Sequence, residues 1–153
     1  MTSPRDMVAY VAVSLALGTA ERRAPLHPNE RLLMREYEGR ARGDMAAVAA
    51  TLHDDVIWHV PGRSQISGTY RGKAEVMTYI SARQELAGGT FQIKVEDVLA
   101  NDEHGLVIAS GQALRNGRAW QWRGHGLYRF RDDKVAECWL LPEDQYLFDE
   151  IWS

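Results

Sequence analysis

The clearest alternation of apolar and polar positions along the chain covers residues 119–131. The even positions there are apolar or glycine and the odd positions are mostly polar, which is the pattern of a half-buried β-strand. The even positions therefore predict the core and pocket face, where aromatic walls beside two glycines leave room for a flat ligand. An equally good interpretation is that the tryptophans simply fill the core. Arg123 and His125 fall on the opposite face by the same parity.

Three further strands are predicted around this one. Residues 91–95 alternate in the same way, and residues 106–114 and 135–141 are apolar runs of strand length. The dipeptide at 116–117, Asn-Gly, is typical of a type I′ hairpin turn, because both central positions of that turn need a positive φ. These segments form a meander of antiparallel strands.

Helices are predicted before and after the strands. Leu33, Tyr37 and Ala41 recur at four-residue spacing after Asn29, which can cap the helix. A second helix follows Asp44, with apolar residues at helical spacing up to position 52. A third covers residues 73–87. A short tail helix at 143–152 offers Tyr146, Leu147 and Ile151 for packing. Helices on one side of a meander indicate an α+β layer arrangement.

The segment 54–76 joins these parts. Its apolar strand, residues 56–60, ends at Pro61-Gly62, and a polar loop leads to the third helix. His59 lies near the end of that strand, where an ionisable side chain is a candidate for a pocket site. If His59 faces inward, as we expect, a neutral imidazole could act as acid or base near neutral pH. If it faces outward, Trp58 and Val60 line the pocket instead.

Composition narrows the class of protein. The 153 residues suit one globular domain, and the net charge of −3 without a basic cluster argues against nucleic acid as a partner. The single cysteine, Cys138, cannot form an internal disulfide and suits a reducing, cytoplasmic location. No metal-ligand spacing, phosphate loop or dinucleotide fingerprint occurs, so we expect no cofactor.

Residues 1–28 are predicted to be an N-terminal extension. The apolar run at 7–20 is too short to span a bilayer, and a membrane partner is not expected. We expect it to form an extra helix or strand that lies on the domain or on a partner subunit. The alternative is a secretory signal, although Arg5 is offset by Asp6.

Three stretches resemble a known family: 41–62 (ARGDMAAVAATLHDDVIWHVPG), 67–76 (SGTYRGKAEV) and 128–145 (YRFRDDKVAECWLLPEDQ). They are similar to the SnoaL-like branch of the nuclear transport factor 2-like superfamily. Ketosteroid isomerase, scytalone dehydratase, limonene epoxide hydrolase and SnoaL-type polyketide cyclases share this fold. The resemblance covers residues 29–153. It implies a cone-shaped, strongly bent mixed sheet whose concave face is covered by helices around a pocket. It also implies a homodimer formed through the open sheet face, where Arg123, His125 and Arg129 are expected.

The resemblance also points to site residues. The strand before the polar loop places a polar group inside the cone in these enzymes, which favours His59. Ketosteroid isomerase holds an oxyanion with a tyrosine near Tyr37, although counting back from Gly43-Asp44 gives Glu36. The acid of that enzyme is absent here, because Gly126 stands in its place. Leu141 likewise replaces an essential aspartate of limonene epoxide hydrolase.

Two hypotheses follow. In the first, the chain is a cofactor-independent isomerase, dehydratase or cyclase acting on a small apolar cyclic substrate by acid–base chemistry. In the second, it binds a hydrophobic ligand or dimerises without catalysis, which the absent acids favour. Glu137 is a second acid–base candidate, or else a surface glutamate paired with an arginine. The predicted catalytic residues are His59, Tyr37 and Glu137, and the predicted walls are Trp58, Trp120, Trp122, Tyr128 and Trp139.

Overall fold

The computed structural model describes residues 26–153, so most of the predicted N-terminal extension lies outside the described residues. Four helices and six strands follow one another along this part of the chain. In chain order they are α1 (Pro28–Arg42), α2 (Met45–Thr51), β1 (Leu52–Val60), β2 (Gly68–Arg71), α3 (Lys73–Leu86), β3 (Gln92–Ala100), β4 (His104–Arg115), β5 (Arg118–Arg131), β6 (Lys134–Pro142) and α4 (Gln145–Ile151).

All six strands form one open sheet in the order β2-β1-β6-β5-β4-β3. β1 pairs in parallel with β6, and the other neighbours are antiparallel. The mixed sheet with helices on its concave side confirms the predicted α+β cone fold. The first and last strands of the chain, β1 and β6, are therefore neighbours in the sheet.

The first two helices each begin at a residue whose side chain caps the first turn, but the cap of α1 is not the predicted residue. His27 caps α1, since its Nδ1 accepts a hydrogen bond from the Asn29 amide at 3.0 Å, so the prediction that Asn29 is the cap was wrong. Pro28 fits the first helical position because its missing N–H would have no partner there. Asp44 caps α2 as predicted, accepting from the Ala47 amide at 3.0 Å.

The turns are confirmed where glycine and asparagine predicted them. Asn116 and Gly117 have φ of 51° and 73°, as a type I′ turn requires. The strand β2 was missed, because its four polar and glycine-flanked residues give no apolar alternation. β2 pairs antiparallel with β1, so the predicted polar loop is shorter than expected.

The C-terminal helix closes one end of the core. Phe148, Ile151 and Trp152 are buried, but Tyr146 is 91% exposed, so its predicted packing role was wrong. Within the range 26–153, no helix is long and apolar enough to cross a membrane.

Candidate functional site

The pleat of β1 sends Trp58, not His59, into the interior. Trp58 is 1% exposed and meets the ring of Tyr128 edge-on, and Val56 and Val60 on the same face are buried. The predicted inward orientation of His59 was therefore wrong. One face of the strand carries Trp58 and two valines, whereas the other offers only Ile57 as a large apolar residue. The strand turns the face with more apolar surface toward the interior, because burying that face is the more favourable choice.

His59 instead belongs to an outer-face cluster made by His59, Arg129, Glu137 and Trp139. Glu137 lies 2.6 Å from His59 Nε2 and accepts from Arg129 Nη2 at 3.1 Å, and the rings of His59 and Trp139 stack at 5.3 Å. Burial acts to raise the pKa of Glu137, but the hydrogen bonds from His59 and Arg129 outweigh it and hold that pKa below its usual value. Glu137 is thus the arginine-paired glutamate of the alternative interpretation.

The outer-face cluster corrects three predicted site residues at once. His59, Glu137 and Trp139 lie together, but on the side of the sheet away from the interior, so they do not line the predicted pocket. Parity along β1 turns His59 outward, and parity along β6 and β5 does the same for Glu137, Trp139 and Arg129. The homodimer through this face stays a prediction.

A pair of tyrosines forms the first polar group of the interior. The hydroxyl oxygens of Tyr37, on α1, and Tyr128, on β5, are 2.6 Å apart, and both side chains are buried. Burial raises the pKa of both hydroxyls above the ordinary tyrosine value. Both are therefore neutral near pH 7, and the pair has one hydroxyl hydrogen left to donate in a hydrogen bond to an oxygen of a ligand. An oxyanion-holding role for Tyr37 stays a prediction.

A buried ion pair stands beside the tyrosines. Glu36 is 0% exposed, and its Oε1 accepts from Arg40 Nη2 at 2.5 Å one helical turn away. Its Oε2 has no partner among the described residues. Burial raises the pKa of Glu36, and the charge of Arg40 opposes that rise. Sequence reasoning placed Glu36 at the family's tyrosine position but did not count it as a site residue; the four-residue spacing to Arg40 was the available signal.

The cavity that we call the main cavity, of about 280 Å³, opens between the C-terminal half of α1, the helix α3 and the start of β3. A smaller recess of about 40 Å³ continues inward from it and reaches Trp58 and Trp122. Tyr37, Arg40, Arg83, Phe91 and Ile93 line both spaces. The rest of the main cavity is lined by Ala41, Gly43, Met45, Tyr79, Ile80, Ser81, Gln84, Glu85 and Gln92. A more open surface groove of about 430 Å³ lies against Ile66 and Tyr70.

Of the five aromatic residues predicted to line the pocket, three therefore lie at the interior and two do not. Trp58 and Trp122 line the recess, and Tyr128 stands at the interior through its hydroxyl contact with Tyr37. Trp120 is half-buried and donates from Nε1 to the carbonyl of Arg115, away from the cavity. Trp139 lies in the outer-face cluster.

The space expected beside the β5 glycines is occupied by rings. On β5, a β-carbon on Gly126 would lie 2.6 Å from the ring of Tyr128, and one on Gly124 would be in ordinary contact with Trp122 at 3.6 Å. On the neighbouring strand β4, one on Gly111 would overlap the ring of Trp122. The glycines thus let aromatic rings lie flat on the sheet. Consequently the open volume is displaced toward α1 and α3, which the strand pattern alone could not indicate.

His125 reaches the wall of the recess from β5, but both of its ring nitrogens are engaged. Nδ1 accepts from the Ala109 amide at 3.2 Å, so Nε2 carries the proton and donates to Glu143 at 2.7 Å. The imidazole is therefore held as a structural link at the edge of the recess. Across residues 26–153, no cluster of three or more His, Cys, Asp or Glu could hold a metal. Cofactor-free function stays a prediction.

Comparison with known proteins shows which family the chain resembles. The sequence pattern of the family described as "SnoaL-like domain" matches residues 34–138. The uncharacterised protein Rv0034 of Mycobacterium tuberculosis (strain H37Rv) is 36% identical over 124 residues, which cover 80% of this chain and 94% of that protein.

Two solved structures are also similar. Bal32a, from a soil-derived mobile gene cassette, superposes with a TM-score of 0.79 at 26% identity, covering 82% of this chain and 97% of the other. An NTF2-like protein of unknown function from Burkholderia pseudomallei superposes with a TM-score of 0.75 at 20% identity, covering 84% and 99% of the two chains. The second likeness concerns the fold alone. Because the family pattern covers more than half of the chain and the mycobacterial relative agrees in sequence over most of it, the chain belongs to the SnoaL-like domain family.

Proposed function

We propose that this protein binds a small, flat, apolar ring-bearing molecule in the main cavity, with an oxygen of that molecule directed at Tyr37 and Arg40. The observation that carries the proposal is the contrast between the cavity's apolar sides and its donor-bearing inner end. Ligand sites typically combine apolar walls with a few convergent polar groups in this way.

The sides of the cavity supply apolar contact. Ile80, Phe91 and Ile93 face it, together with the aliphatic surface of Ala41 and Met45. Removing an apolar ring from water gains about 25 cal/mol per Å² of buried surface, so a two-ring molecule has enough area for measurable binding. Fixed aromatic walls keep the ordering cost of binding low.

The inner end supplies hydrogen-bond donors. Arg40 and Arg83 carry guanidinium groups there, and Tyr37 carries a neutral hydroxyl. The carboxylate of Glu36 is occupied by Arg40 and is not part of the cavity lining. A ligand oxygen, which accepts, matches this end better than a ligand N–H group, which donates.

Binding is favoured over proton-transfer catalysis because the described interior offers no free base. Glu36 is bonded to Arg40 through one oxygen and does not line the cavity or the recess, and His125 is engaged at both nitrogens. Glu85 is exposed at the cavity mouth rather than at its inner end. A catalytic base has to reach the proton that it abstracts.

The test compares one substitution that fills the cavity with a matched substitution outside it. Ala41 lines the cavity, whereas Ala46 is exposed on α2 outside it. By titration calorimetry with neutral 2-naphthamide, we expect Ala41→Trp to weaken binding at least about tenfold, or about 1.4 kcal/mol. Ala46→Trp should bind as the wild type does. Equal affinities of both variants and the wild type would contradict binding in this cavity.

A second candidate, favoured by the tyrosine pair, is the isomerase, dehydratase or cyclase activity that the family resemblance implies. Two neutral hydroxyls 2.6 Å apart can hold the oxygen of an enolate. This candidate expects hydrogen–deuterium exchange at the acidic carbons of 2-tetralone to run about 10²–10⁴ times faster with the protein than in buffer. Tyr37→Phe should lower the exchange rate at least tenfold. Exchange no faster than in buffer would leave binding alone as the function.

A further inference from the structure

Arg83 is a buried cation without a counter-ion. It is 6% exposed, and within the described part of the chain the single hydrogen bond of its guanidinium runs from Nη1 to the hydroxyl of Tyr79, at a long 3.3 Å. Its Nε has no partner, and no carboxylate lies within ion-pair distance of it among residues 26–153. Burying a charge is costly unless it is paired, so this arrangement calls for an explanation.

The surroundings of Arg83 hold it in place but leave most of its N–H donors without an acceptor. Its guanidinium carbon lies 4.3 Å from the ring centre of Phe91 and 4.8 Å from that of Trp152. Ring faces attract the cation, but they provide no oxygen to accept its N–H groups. Arg83 also lines both the main cavity and the recess, so its side chain borders the open space.

The charges around the cavity's inner end do not balance. Glu36 offsets Arg40 only, and the two guanidinium groups repel each other, which contributes with burial to a lowered pKa of Arg83. Gln84, the neighbour on α3, uses both ends of its amide on the backbone of Phe91. The inner end of the cavity therefore carries one uncompensated positive charge.

We propose that the cavity takes an organic anion, a flat apolar ring system bearing one carboxylate, and that Arg83 binds the carboxylate. This rests on the proposed binding function and names its ligand class. A carboxylate accepts two N–H groups of a guanidinium in one plane, and it would supply the acceptors and the charge that the site lacks. The apolar rings of the ligand would fill the volume toward Ile80 and Ile93.

The experiment compares two probes of almost equal shape near neutral pH, 2-naphthoate and the neutral 2-naphthamide. On the wild-type protein we expect 2-naphthoate to bind about 10–100 times more tightly, since hydrogen bonds to charged groups are stronger than neutral ones. In Arg83→Met the preference should disappear, because affinity for 2-naphthoate falls while affinity for 2-naphthamide changes less than threefold. Arg118→Gln is the control, since Arg118 also lies over a tryptophan ring, at 3.9 Å from Trp120, but on the exposed surface.

The outcomes separate this inference from the proposed function. If both probes bind equally to the wild type, the carboxylate assignment is overturned while the cavity remains a binding site. If neither probe binds, both proposals are overturned. The comparison of probes on the wild type holds even if Arg83→Met fails to fold. Retention of the preference in a folded Arg83→Met would also overturn the role of Arg83.

Discussion

Replacing Glu36 with leucine is expected to lower the free energy of unfolding by about 3–5 kcal/mol, because it leaves the guanidinium of Arg40 buried without its partner. Glu36 is 0% exposed and the side chain of Arg40 is only 13% exposed, so bulk water compensates little for the lost contact. Urea unfolding followed by circular dichroism measures the change.

Two further variants make this result interpretable. The double variant Glu36→Leu with Arg40→Met should recover most of the loss, since replacing a whole buried pair by apolar residues is often neutral or stabilising. The exposed pair of Asp54 and Lys73 is the matched control, and Asp54→Asn should cost no more than about 0.5 kcal/mol. A double variant as unstable as Glu36→Leu would show that the buried charge of Arg40 is not the cause.

Replacing Trp152 with alanine is expected to destabilise the protein by a similar amount, about 3–5 kcal/mol, the range for deleting a large buried aromatic residue. Trp152 is 0% exposed and meets Phe91 and Trp122 edge-on, and Arg83 lies over its ring. The substitution therefore opens the core behind the cavity as well. Thermal and urea unfolding measure the loss.

Tyr146 on the same short helix is the control. Because Tyr146 is 91% exposed, Tyr146→Ala should change the free energy of unfolding by less than about 0.5 kcal/mol. A large effect at Tyr146, or a small one at Trp152, would mean that α4 packs on the sheet through its other face.

The strands were predictable because their alternation is regular. Along β5, the even positions Trp122, Tyr128 and Phe130 are buried and the odd positions are more exposed, as the sequence indicated, although His125 also reaches the recess. β1 follows the same rule, but the prediction gave weight to its single histidine and therefore placed the wrong face of the strand toward the interior. Comparing the apolar bulk of Trp58 and its valine neighbours with that of Ile57 would have decided the orientation correctly.

The cavity could not be predicted from the sequence, because its polar residues are of types that usually lie at the protein surface. For α3 the sequence predicted a helix over residues 73–87, but its buried residues are Val76, Tyr79 and Arg83. A face that contains arginine gives no apolar signal, so both Arg83 and the Glu36–Arg40 pair were missed. Tyr37, with its hydroxyl toward Tyr128, was found only through the resemblance.

A crystal structure of the protein grown with 2-naphthamide tests the central claim most directly. The account predicts the two rings between α1, α3 and β3, against Phe91 and Ile80, with the amide oxygen within hydrogen-bond distance of Tyr37, Arg40 or Arg83. A ring system found on the outer face against Trp139, with the interior cavity unchanged, would contradict it.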